Sequence, residues 1–114
     1  MDNVEKYAYY SLKAYEGLNQ GSAQISDRNR DKMRRIAGIL YKNGEISSLR
    51  PLLYHEHIAV KCDVAIQLLP FYTEEAEAVL EELSKKRGDL TYSTARVTLK
   101  EWRKGNIKFP EYEM

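Results

Sequence analysis

The chain has 114 residues, 18 of them basic and 17 acidic, for a formal net charge of +1. This length suits one domain with a sizeable core, and the balanced charge points neither to nucleic acid nor to a membrane surface. No apolar run approaches the ~18 residues of a membrane span, the opening MDNVEKYAYY lacks the apolar stretch of a signal peptide, and the single Cys62 has no internal disulfide partner, so a cytoplasmic protein is expected.

The first helix is predicted from about Asp2 to Gln20. Val4, Tyr7, Ala8, Ser11, Ala14, Tyr15 and Leu18 share one face at i, i+3, i+4, i+7 spacing. Lys6, Lys13, Glu16 and Gln20 fall opposite, with Tyr9 on that polar side and Tyr10 at its edge, and Gly21 marks the stop. Ser26 reads as the N-cap of a second helix with Asp27 in its first turn, running to about Asn43 before Gly44. Its apolar face is Met33, Ile36, Ala37 and Leu40; its other side carries Arg28, Lys32, Arg35 and Lys42. An Asp31–Arg35 pair suits i, i+4 spacing, yet residues 26–43 hold six bases and two acids, a sum of +4.

A short third helix is predicted over about Glu45 to Tyr54, kinked or restarted at Pro51. The stretch Ile58 to Leu69, IAVKCDVAIQLL, follows; nine of its twelve residues are apolar. They point almost all the way round a helix, with Val60 and Val64 outside the main arc, so this fourth helix is expected to be walled in by its neighbours. It stops at Pro70. Thr73 reads as the cap of a fifth helix, with Glu74, Glu75 and Glu77 at its positive end, a stripe of Ala76, Val79, Leu80 and Leu83, and i, i+4 pairs Glu81–Lys85 and Glu82–Lys86. Gly88 ends it. The last helix runs from about Leu90 to Lys104, with Tyr92, Ala95, Leu99 and Trp102 on one face and Gly105 as its C-cap signal. Ile107 and Phe109 in the tail are expected to fold back over the end of the stack.

Six amphipathic helices with short joints suggest stacked hairpins. A shift of thirty positions aligns Leu49 with Val79, Leu53 with Leu83, Val60 with Leu90, Ala65 with Ala95 and Leu69 with Leu99. The second helix fits better at 28, with Ala37 on Ala65 and Leu40 on Leu68. The segment LRPLLYHEHIAVKCDVAIQLL (a proline-bearing helix, a tight turn, then a helix with the small Ala65 facing its neighbours) resembles HEAT repeats. ARVTLKEWRKGNI, from Ala95 to Ile107, is similar to a group of small bacterial HEAT-like proteins. The likeness covers roughly residues 45–107. The turn departs from the usual HEAT pattern, with His55-Glu56-His57 in place of an Asp or Asn and Lys61 after Val60. The resemblance implies an all-α fold: a short α-solenoid of about three stacked antiparallel hairpins, six helices in one domain over 1–114. It also implies, by analogy with toxin-immunity systems, an immunity role.

Chemistry-bearing groups are sparse. His55, Glu56, His57, Cys62 and Asp63 form one cluster with metal-ligand residue types, but no second Cys or His pair completes a tetrahedral set. A helix-start His57, a solvent-facing His55 and a core Cys62 account for it, and no metal, cofactor or catalytic residue is assigned. Cys62 has the apolar neighbours of an inert thiol. The acids of the fifth helix have lysine partners and read as a solvated face, and no glycine loop is arranged to cradle phosphate.

The remaining signal is a surface. In a HEAT-like stack the second helix of each hairpin lines the concave side. There the second helix offers Arg28, Lys32 and Arg35, and the last offers Arg96, Lys100 and Arg103, while the acids collect on the first helix of a hairpin. Nine tyrosines against two phenylalanines and one tryptophan add amphipathic side chains of the kind enriched at interfaces. The expected function is therefore non-enzymatic protein binding, most specifically by an immunity protein that neutralises a toxin domain. Tyr9, Arg28, Lys32, Arg35, Arg96 and Lys100 are the expected contacts, with Arg supplying charge-assisted hydrogen bonds and Tyr an apolar anchor. The alternative is nucleic-acid backbone binding through the same basic face, which the net charge disfavours. An enzyme would need a converging titratable cluster.

Overall fold

A computed structural model describes residues 1–107. Among them it shows five α-helices and one 3-10 helix, and no strand. The α-helices are α1 (Asn3–Asn19), α2 (Ala23–Lys42), α3 (Ile58–Leu68), α4 (Thr73–Leu83) and α5 (Leu90–Arg103); the 3-10 helix is Ile46–Tyr54. None of the described helices is long and apolar enough to cross a membrane. The chain divides into two compact units, Met1–Leu52 and Leu53–Met114, and the 3-10 helix carries the chain from one to the other.

In the first unit α1 and α2 pack as a hairpin. Asp2 caps α1, its carboxylate accepting the Glu5 N–H at 2.8 Å. The helix buries Tyr7, Ser11, Ala14 and Gly17, while Leu18, expected in the core, is exposed. The packed stripe reaches Gly17 instead of Leu18 because α2 comes within backbone distance there. The start of α2 also differs from the sequence reading. Ser22 is the N-cap, its hydroxyl accepting the Ile25 N–H at 3.2 Å. Ser26 lies inside the helix and is buried. Both serines are competent caps; the turn decides between them, because the Ser22 N–H bonds the Gly17 carbonyl at 2.8 Å and closes the link after only Gln20 and Gly21. Gly21 takes φ +74, which favours glycine.

The third helix is 3-10 rather than α. Pro51 lies inside it and has no N–H to donate, so an α-helical ladder would be interrupted there. Leu49 and Leu53 are nevertheless fully buried, as a helix of either kind requires of its apolar side.

In the second unit α3 packs on α4, α4 on α5, and α3 touches α5. The enclosed α3 of the sequence reading is present: Val60, Cys62, Val64, Ala65 and Leu68 are at most 2% exposed. Asp63 on the same helix is buried as well. Thr73 does not cap α4. Tyr72 holds the N-cap position without a side-chain bond, and the Thr73 hydroxyl donates to the Leu69 carbonyl at 2.7 Å. Leu69 is the C-cap of α3, so its carbonyl has no partner within that helix, and the threonine satisfies it. Asp89 caps α5, accepting from the Thr91 N–H at 2.9 Å and the Thr91 hydroxyl at 3.0 Å. Ile107 is half-buried; Phe109 lies outside the described residues.

Candidate functional site

The titratable cluster at the start of α3 has a structural explanation. The Nδ1 of His55 accepts the His57 N–H at 3.0 Å, and the Nδ1 of His57 accepts the Ala59 N–H at 3.1 Å, capping the helix. Each imidazole thus holds an otherwise unmatched backbone donor. Cys62 is buried. Among the described residues no group of three His, Cys, Asp or Glu side chains could hold a metal ion.

The acids of α4 are tied within their own unit. Glu75 accepts the Tyr54 hydroxyl at 2.9 Å, and Glu77 accepts the Trp102 indole N–H at 3.0 Å. Arg103 reaches Glu81 at 2.8 Å and Glu77 at 3.6 Å, and Lys86 lies 3.7 Å from Glu82. The Glu82–Lys86 pair was legible in the sequence; Glu81 instead bonds across to α5. This withdraws Arg103 from any basic surface. The hydrogen bond and charge of Arg103 hold the Glu81 carboxyl below its ordinary range. A carboxylate with a depressed folded pKa contributes stability above its unfolded pKa and loses it as the pH falls through the folded value. Replacing Arg103 with glutamine is therefore expected to raise the Glu81 titration toward the ordinary carboxylate value, read by carboxyl-carbon NMR; an unmoved titration would show that the pair does not form in solution.

Arg96 and Lys100 are exposed on α5. The Arg96 guanidinium donates to the Tyr92 hydroxyl oxygen at 3.2 Å, and that bond, reinforced by charge from Arg96 and Arg87, pulls the phenol below its ordinary pKa.

The first unit differs in kind. Tyr9 is exposed and meets Tyr10 edge-on, with ring centres 5.4 Å apart. Lys13 stands 5.5 Å over the Tyr9 ring, and Lys32 reaches from α2 to stand 5.1 Å over Tyr10. The result is a ladder of cation, ring, ring, cation across the hairpin, whose members restrict one another's rotamers. Two of the expected contacts, Tyr9 and Lys32, are thereby brought together. Arg28 and Arg35 continue from Lys32 along α2, all three exposed. Asp31 pairs with Arg34 at 2.8 Å rather than with Arg35. Among the described residues Arg28, Arg35 and Lys42 meet no hydrogen-bonding or ion-pairing group. Tyr10 and Ile39 were not among the expected contacts: Tyr10 lies at the margin of the helical projection, and Ile39, exposed next to the buried Leu40, falls outside both the apolar stripe and the row of charges.

No family model matches this chain, and comparison with curated proteins and with solved structures gives no match either.

Proposed function

We propose that this chain is a non-enzymatic protein-binding module and, most specifically, an immunity protein that neutralises a toxin domain by direct contact. The observation that carries the reading is the contrast between the two charged helices. The carboxylates of α4 are largely engaged inside the second unit, whereas Arg28, Arg35 and Lys42 on α2 have no acidic partner among the described residues. Unpaired guanidinium groups beside an exposed, laterally held tyrosine suit an acidic protein surface: Arg gives charge-assisted hydrogen bonds, and Tyr9 gives contact area at little entropic cost. The HEAT-like arrangement belongs to the same proposal. It is supported by the α1/α2 hairpin and by the contact of α3 with α5, which would be the second helices of the two later hairpins. The immunity role rests on the likeness of Ala95–Ile107 to small bacterial HEAT-like proteins.

The test is charge reversal. Arg28→Glu combined with Arg35→Glu is expected to weaken the purified complex with the natural partner, recovered from the host on the tagged chain, by at least about tenfold, or ~1.4 kcal/mol. The melting temperature should not move, since both side chains are exposed. Unchanged affinity in a folded variant would rule out this face. The same basic row supports a second reading, attachment to a nucleic-acid backbone. That reading demands binding that falls steeply and linearly in log–log form with salt.

A further inference from the structure

We infer that the partner lays a helix of its own, acidic along one face, lengthwise on α2; this rests on the reading of α2 as the binding face. Arg28, Lys32, Arg35, Ile39 and Lys42 are all exposed. They recur at intervals of four, three, four and three, a mean repeat of ~3.5, which is the spacing of a seam along which two helices pack. At ~100° per residue the five side chains fall within an arc of ~80°, and the row is ~21 Å long. The row is straight, as a helix lying lengthwise on it requires.

Its chemistry narrows the occupant. Four members are cations, so the opposing face is acidic. The fifth, Ile39, is 46% exposed and lies between Arg35 and Lys42 in the row. A phosphate backbone offers nothing to an isoleucine, whereas an apolar residue set among carboxylates on a partner helix would bury it and exclude water from the flanking ion pairs. The Lys32 ammonium over Tyr10 places the tyrosine pair along one flank, where it can meet the side of the incoming helix.

The probe is a helical peptide of about 21 residues, some 31 Å long, carrying four glutamates and one leucine at the same four-three-four-three spacing. Its control has the same composition with the glutamates spread round the helix; a duplex DNA of similar length is the third ligand. Each is titrated into the full chain at physiological salt, followed by amide NMR shifts. The matched peptide is expected to shift the amides of residues 28–42 and to bind at least about tenfold more tightly than the control, a difference of ~1.4 kcal/mol. Arg35→Glu and Ile39→Ser should each erode that preference. Equal binding of the two peptides would overturn the helix while leaving an acidic partner in place. DNA binding with a steep salt slope, and none by either peptide, would overturn the helix and the protein-partner reading together. If none of the three binds, the helix falls, and charge reversal on the natural complex decides the broader reading separately.

Discussion

Val64→Asp is expected to unfold the second unit. Val64 is fully buried on α3, between Val60, Ala65 and Leu68, which are also fully buried. A carboxylate there has no solvent and no cation on its own turn other than the half-buried Lys61. Moving an unpaired charge into such a site costs at least ~4 kcal/mol even when the group protonates to escape ionisation. Small domains hold only ~5–15 kcal/mol in total, so the loss is of the same order as the whole stability. The expected observation is a variant without a cooperative thermal transition and with much reduced helical circular dichroism. Val64→Ala separates charge from volume: it removes two methyl groups and leaves a small cavity, for about 2 kcal/mol, and should stay folded. A Val64→Asp protein that melts cooperatively within a few degrees of the parent would show that α3 is open to water on that side.

The burial of α3 was the most legible part of the fold, and the reason is composition. When nine of twelve residues are apolar, no rotation of the helix exposes a polar face, so the conclusion does not depend on phase. The capping residues were less legible, because several candidates stand close together at each helix start. At α1 both Asp2 and Asn3 are competent caps, and Asp2 takes the role. Ser22 and Ser26 were rivals, and the choice between them was made by a backbone bond to Gly17, which lies in another helix and leaves no trace in local spacing. Thr73 shows the same limit: a good capping residue is also a good donor to a stranded carbonyl, and the chain uses it for the second purpose. At the candidate surface, the basic side of α2 followed from counting charges. What could not be counted was which charges remain unpaired. Arg34 rather than Arg35 takes Asp31, and Arg103 is captured by Glu81 across helices. Those two facts separate Arg35 from Arg103, although spacing alone places both on the basic side of their helices.

Gly17→Val should lower stability by about 3 kcal/mol. A Cβ at Gly17 would stand 2.8 Å from the backbone nitrogen of Ser26, and 3.0 and 3.2 Å from Cγ2 and Cβ of Ile25. Ile25 is partly exposed and can turn aside. The Ser26 nitrogen cannot, because it belongs to the first turn of α2 and donates to the Ser22 carbonyl at 3.2 Å. Relief therefore requires the two helices to separate at the turn, which strains the Ser22–Gly17 bond and loosens the packing of Ala14 beside it. Alanine introduces the same Cβ but regains ~1 kcal/mol of helix propensity over glycine, so Gly17→Ala should lose less, about 1 kcal/mol net after the overpacking cost. For a domain of this size 3 kcal/mol corresponds to a fall of roughly 12 °C or more in melting temperature. Adding Ile25→Ala distinguishes the two sources of crowding. If the clash is with backbone, the double variant recovers little, and the two changes stay close to additive. Full recovery would place the crowding in the Ile25 side chain, and a Gly17→Val protein that melts with the parent would mean that α1 and α2 do not approach so closely.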